Sequence, residues 1–89
     1  MNNRPLKSSP GLRLRTAREG LGLSMRRVHA ISVRLARKLR RKEFAVPATR
    51  VHEYERKGVV PSIHRVYTLA YVYRRKMKEV LSWYGVPIR

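Results

Sequence analysis

The stretch that decides the fold is PATRVHEYERKG, residues 47–58. Pro47 suits the first turn of a helix, where its fixed backbone angle is already helical and its missing amide hydrogen is not needed. Val51 and Tyr54, three positions apart, predict one buried face, and Gly58 provides a stop. The stretch therefore predicts a short helix over residues 47–57 with one face in the core and the other in solvent.

Amphipathic helices are predicted on the N-terminal side of this stretch. Apolar residues three and four apart predict a first helix over residues 11–21, which Gly20 and Gly22 end. A second helix is expected to start at Met25 and to continue to about Arg41, because its apolar residues stay on one face. Residues 43–46 have no helical period and precede a proline, so they predict a turn.

Two further helices are predicted after Gly58. Ser62 is expected to cap a fourth helix, and a last helix begins at Met77 and ends before Gly85. The predicted inward residues of the fourth helix are Ile63, Val66, Leu69, Ala70 and Tyr73. The fold class is therefore all-α with five helices and no strands. One domain is expected over residues 10–89, preceded by a basic tail at residues 1–9 that is either flexible or laid along a phosphate backbone.

The charge balance points to a polyanionic partner. The chain has 22 Lys and Arg against 5 Asp and Glu, a formal net charge of +17. Self-repulsion of this size costs stability unless an anion neutralises it, and nucleic acid is the obvious candidate. The same excess would also keep a chain soluble or result from engineering, so charge alone does not decide the function.

Several function classes are disfavoured by what the sequence lacks. It has no cysteine, which excludes disulfides and thiolate zinc sites, and it has no apolar run of membrane-spanning length. We therefore expect no membrane association and a cytoplasmic protein. The carboxylates are scattered singly, and His29, His52 and His64 have no metal-ligand spacing, so we predict no enzyme, no cofactor and no metal. The tyrosines 67, 71 and 73 suit base stacking or the core, and the core interpretation is preferred.

Two predicted helix starts carry the features of phosphate sites. Acidic residues usually stabilise a helix N-terminus, yet the second helix opens with Arg26 and Arg27 and the fourth with His64 and Arg65. Free backbone amides, a serine hydroxyl and cations then occur together, which favours phosphate binding. The alternative is that a uniformly basic composition places arginine everywhere.

The predicted third helix presents short or hydrogen-bonding side chains to solvent, a mixture that suits the major groove. Ala48 and the Thr49 methyl group can contact a thymine methyl, and Arg50 can donate two hydrogen bonds to guanine. Glu53 can accept a hydrogen bond from cytosine or hold an arginine, or it can form an ordinary helix ion pair with Lys57. The residues predicted to contact bases are Ala48, Thr49, Arg50, His52 and Glu53.

The order of these elements resembles a known family. The segments LRLRTAREGLGLS (residues 12–24), YERKGVVPS (54–62) and Leu69-Ala70 carry the resemblance, which covers roughly residues 11–86. They resemble the Cro and phage-repressor helix-turn-helix family, also called the xenobiotic-response-element family. The resemblance implies a five-helix lambda-repressor-like domain whose third helix enters the major groove while the second crosses the DNA backbone.

The family's residue roles follow from this resemblance. It implies base contacts from positions 48, 49, 50 and 53, and phosphate contacts at Ser24, the Met25 backbone, Ser62 and Ile63. It also implies a structural ion pair between Arg18 and Glu55. Residues 33–45 depart from the family, whose members usually join the second and third helices with a short glycine turn. A subset of bacterial regulators has a similarly extended second helix, but with more acidic residues, so this chain resembles a charge-altered version of them.

The expected function is sequence-specific binding of double-stranded DNA, as in a bacterial transcriptional regulator, and the resemblance thereby implies association with the bacterial nucleoid. A homodimer is compatible with this function but not required. The cations predicted to contact phosphates are Arg26, Arg27, Arg56, Lys57, His64 and Arg65. One alternative is a non-specific nucleic-acid-binding protein of nucleoid or ribosomal type. Another is an antitoxin-like protein-interaction module that uses the end around Trp83, Tyr84 and Val86.

Overall fold

The computed structural model describes residues 9–87, and within that range it contains five α-helices and no strand. The helices are α1 (Pro10–Gly20), α2 (Met25–Leu39), α3 (Ala48–Arg56), α4 (Ile63–Tyr73) and α5 (Met77–Trp83), and a 3₁₀ turn (Lys42–Phe44) lies between α2 and α3. The predicted all-α class is confirmed. Residues 1–8 of the predicted tail (1–9) lie outside the described part of the chain. Its last residue, Ser9, belongs to the folded domain instead, because it caps α1 by accepting a hydrogen bond from the Leu12 amide.

The core is built from the apolar faces that the sequence spacing predicted. Leu14, Val28, Val51 and Leu69 are all nearly inaccessible to solvent, and so is Val80 of α5. These residues come from five different helices, so each helix contributes its stripe to one shared core. Val46, in the connection before α3, is equally buried, which the sequence pattern did not indicate.

The second helix is shorter than predicted. It ends at Leu39 rather than near Arg41, because Arg40 adopts the left-handed conformation with φ 58° and ψ 37°. The Arg41 amide then donates back to the Ala36 carbonyl at 3.0 Å, which closes the helix end. Arg74 ends α4 in the same way, with φ 59°. Both positions are ones that glycine usually occupies.

Several residues predicted to point inward are exposed. Ile63 is the first residue of α4 and is 57% exposed, because the helix meets the core only from Val66 onward. Tyr67 and Tyr71 are 41% and 52% exposed, so the preferred core interpretation was wrong for these two and right for the buried Tyr73. Pro47 also lies just before α3 rather than in its first turn, with an extended ψ of 150°.

Candidate nucleic-acid interface

The orientation of α3 is fixed by its buried face. Val51 and Tyr54 are almost fully buried, and the backbone of α1 packs closely behind them. A side-chain carbon at Gly11 would lie 2.4 Å from the Glu55 carbonyl oxygen and 2.7 Å from that of Tyr54, so only glycine permits this approach of α1 to α3. The helix is therefore held on a rigid base.

An ion pair completes this base. Arg18 donates from Nε to Glu55 Oε2 at 2.7 Å and from Nη2 to Glu55 Oε1 at 2.9 Å, and the Glu55 side chain is completely buried. A third donor, Nη1, reaches the Leu23 carbonyl at 2.9 Å. Hydrogen bonding to Glu55 raises the pKa of Arg18 above its ordinary value. One guanidinium thus connects α1, α3 and the turn that leads into α2.

The opposite face of α3 lies in solvent. Thr49, Arg50 and His52 are exposed, and so are Arg56 and Lys57 at the end of the helix. Ala48 and Glu53 are half-buried. All five residues predicted to contact bases are thus on a surface that a ligand can reach, and none is enclosed in the core.

Glu53 is paired with Arg50 rather than with Lys57. Arg50 Nη1 donates to Glu53 Oε1 at 2.8 Å across one helical turn. The expected alternative, an ion pair between Glu53 and Lys57, is not present. A carboxylate that holds a guanidinium fixes the orientation of its planar fork, and a fixed fork loses less entropy when it binds a planar acceptor such as a guanine edge.

The N-termini of α2 and α4 are both capped by serine. The Ser24 hydroxyl accepts from the Arg27 amide at 3.0 Å, and the Ser62 hydroxyl accepts from the Arg65 amide at 3.3 Å. Each hydroxyl keeps its own hydrogen for another acceptor. Ser24, Arg26, Arg27, Ser62 and Ile63 are exposed, and Met25 packs partly against the core. Neither helix has an acidic residue in its first turn.

Two of the predicted phosphate contacts are also engaged inside the protein. Arg65 donates from Nε to the Ala45 carbonyl at 3.0 Å and from Nη1 to the Tyr54 hydroxyl at 3.2 Å, which leaves Nη2 for an outside partner. His64 packs its ring edge-to-face on Phe44, with 5.0 Å between ring centroids. Both residues help to position the segment before α3, a role that their positions in the sequence do not indicate.

The long connection between α2 and α3 is anchored by polar side chains. Buried Ser32 accepts from the Val46 amide at 2.8 Å, and Nδ1 of His29 lies 3.0 Å from the Val46 carbonyl oxygen. From α4, the Thr68 hydroxyl donates to the Phe44 carbonyl at 2.6 Å. The connection is thus fixed at Phe44, Ala45 and Val46 by hydrogen bonds from α2 and α4.

These anchors were missed from the sequence. Ser32 did leave a signal, because it falls four residues after Val28 and three before Leu35, on the apolar face of α2. A polar residue on a buried face needs a hydrogen-bond partner, and an unpaired backbone amide of an irregular segment is one. The partner itself, fourteen residues away, was not evident from spacing.

The described part of the chain shows neither a membrane-spanning helix nor a metal-ligand cluster. No helix in residues 9–87 is long and apolar enough to cross a bilayer. Within the same range, no three His, Asp or Glu side chains lie together in a way that could hold a metal ion.

Comparison with known proteins identifies no relative. No family model, no curated protein and no solved structure matches the chain.

Proposed function

We propose that this chain is a sequence-specific DNA-binding domain of the helix-turn-helix type, acting in transcriptional regulation. In this proposal, α3 lies in the major groove, and Ala48, Thr49, Arg50, His52 and Glu53 contact base edges. The observation that carries this proposal is that α3 has one buried face and one solvent-exposed face. One face is fixed in the core by Val51, Tyr54 and Glu55, and the other offers hydrogen-bonding groups to solvent.

The cationic surroundings of α3 support a nucleic-acid partner. The serine-capped starts of α2 and α4 join free amides, hydroxyl hydrogens and nearby arginines, a combination that favours phosphate oxygens. In the proposed complex these two starts hold the DNA backbone, together with Arg56 and Lys57 at the end of α3. The net charge of +17 provides the long-range attraction.

The Arg50–Glu53 pair supports base reading over purely electrostatic binding. A carboxylate on the surface that faces DNA is repelled by phosphates, so it contributes nothing to a non-specific binder. As the partner of Arg50, Glu53 instead aims the guanidinium, whose two parallel donors match the O6 and N7 acceptors of guanine.

Selection of binding sites from a pool of random duplex DNA tests this proposal. We expect a short enriched motif, whose length also reports one bound copy or two, since two copies read half-sites about one helical turn apart. A selected pool that remains random in sequence, although the protein retains it, would contradict base reading.

Non-specific nucleic-acid binding is the second candidate, and a separate observation favours it. Six exposed cations lie in residues 34–42, in the second half of α2 and just after it. This segment is separate from α3, and its side chains show no feature that would distinguish one base from another. A random pool in the selection experiment, together with equal affinity for structured RNA, would support this candidate.

A further inference from the structure

The second half of α2 and the turn after it carry a dense group of exposed cations, which we term the basic end. Its members are Arg34, Arg37, Lys38, Arg40, Arg41 and Lys42. They lie outside α3 and outside the serine-capped starts of α2 and α4. The proposed base and phosphate contacts therefore leave them without a role.

Most of these cations have no acidic partner. Glu43 is the acid next to the group, and its Oε2 lies 3.6 Å from Nη2 of Arg41. The other five members form no ion pair with any residue in the range 9–87, whereas Arg15, Arg50 and Arg75 each pair with a nearby glutamate.

Helix stability does not account for the whole group. Cations in the last turn of a helix are stabilised by its partial negative charge, which explains Arg37 and Lys38. Arg41 and Lys42 lie beyond the helix, and Arg34 lies a turn earlier. Arg34 and Lys38 are four residues apart, a spacing at which like charges repel.

The basic end surrounds a groove with an apolar floor. The groove has a volume of about 340 Å³; Val33, Ala36 and Ala45 line its floor, and four members of the basic end line its rim. Ala45 is held in place by the hydrogen bond from Arg65 to its carbonyl. This hydrogen bond therefore fixes the Ala45 side of the floor.

We propose that the basic end binds the sugar–phosphate backbone of the same DNA duplex that α3 reads, which rests on the proposed function. Deoxyribose presents carbon atoms between successive phosphates, so its shape and polarity match an apolar floor with a cationic rim. Ribose would bring its 2′-hydroxyl to the apolar floor without a hydrogen-bond partner. The α2 helix has 15 residues and is about 22 Å long, with the proposed phosphate contact at its N-terminus and the basic end at its other end.

Two triple variants with matched charge loss test the proposal. The first is Arg37→Gln/Arg40→Gly/Lys42→Gln, within the basic end. The control is Arg13→Gln/Arg74→Gly/Lys76→Gln, on α1 and the turn after α4. Each removes three exposed cations that form no ion pair in residues 9–87, and each replaces one left-handed arginine by glycine. Circular dichroism and thermal melting verify that both fold.

The readout is duplex affinity as a function of salt, measured by fluorescence anisotropy on the selected site and on a scrambled site. A plot of log affinity against log salt has a negative slope, and loss of three phosphate contacts makes this slope less steep by about 2.7. Between about 50 mM and about 200 mM salt, wild-type affinity should then fall about 40-fold more than that of the basic-end variant. The control variant should keep a slope within about one of wild type.

The outcomes separate this inference from the proposed function. A wild-type slope in the basic-end variant, or an equal loss in both variants, overturns the inference while sequence preference stands. A loss that appears with an RNA hairpin and not with duplex DNA overturns it as well. A third outcome is that the wild-type protein prefers no duplex, while the salt dependence of DNA affinity becomes less steep in the basic-end variant alone. In that case the proposed base reading fails and the backbone contact is supported.

Discussion

The buried ion pair beneath α3 provides a stability prediction that follows directly from geometry. Glu55→Gln keeps the shape of the side chain but removes its charge, and its new amide group donates toward a guanidinium that can only donate. Within residues 9–87, Arg18, whose exposure is 8%, then keeps as its acidic neighbour only the exposed Glu19 carboxylate, 3.8 Å from its Nη2. The remaining bond to the Leu23 carbonyl satisfies one of its donors.

The expected cost is large for a domain of this size. Removing one partner of a buried ion pair costs about 3–5 kcal/mol. Small domains unfold with about 5–15 kcal/mol in total, so the change removes roughly a fifth or more of the stability. Replacing both partners by apolar residues, as in Arg18→Met/Glu55→Leu, should recover most of this loss, because no charge then remains buried.

Urea unfolding followed by circular dichroism measures these differences. The control is Glu43→Gln, which removes an exposed carboxylate that lies 3.6 Å from Arg41 and makes no ion pair with Arg18, and it should leave the midpoint almost unchanged. An unfolding free energy of Glu55→Gln within about 1 kcal/mol of wild type would refute the reasoning, since a buried charge cannot lose its partner at so little cost.

Three further predictions concern packing, backbone conformation and pH. Gly11→Ala should destabilise the fold by about 2 kcal/mol or more, because its new carbon would meet backbone oxygens, whereas Gly20→Ala, with nothing within 4 Å, should not; thermal unfolding compares the two. Arg40→Gly and Arg74→Gly should each stabilise by about 0.5–1 kcal/mol by relieving a left-handed arginine, and an unchanged or lower urea midpoint would contradict this. Burial raises the pKa of the Tyr84 hydroxyl from 10.0 to about 12 in the folded protein. As the pH rises, the unfolded chain therefore loses this proton before the folded protein does, and the free energy of unfolding falls between pH 10.0 and about 12. Tyr84→Phe should remove that part of the alkaline loss in unfolding measured at stepped pH, and an identical pH profile would count against it.

The helices could be predicted because their signals are local. Spacing by threes and fours, the serine caps and the punctuating glycines are all properties of neighbouring residues, and the helix starts at Met25, Ile63 and Met77 follow from them. The end of α2 was misplaced because Arg40 adopts a conformation typical of glycine. No local rule indicates that an arginine will do so.

The candidate site was only partly predictable. The exposed face of α3 follows from Val51 and Tyr54, since fixing the buried face of a helix fixes the opposite one. The partner of Glu53 did not follow, because Arg50 and Lys57 both lie within one helical turn of it. The contacts of Ser32, Arg65 and Thr68 join distant segments through one or two hydrogen bonds each, and such pairings depend on the tertiary structure rather than on spacing.

The most direct test of the central claim is the ratio of affinities for the selected duplex and a scrambled duplex, compared between Arg50→Gln and Arg26→Gln. A bidentate base contact discriminates by about 1–3 kcal/mol, so Arg50→Gln should lower this ratio by roughly 5- to 150-fold. Arg26→Gln should weaken both complexes alike and leave the ratio unchanged. An unchanged ratio in Arg50→Gln, with affinity lowered equally on both duplexes, would contradict base reading by α3.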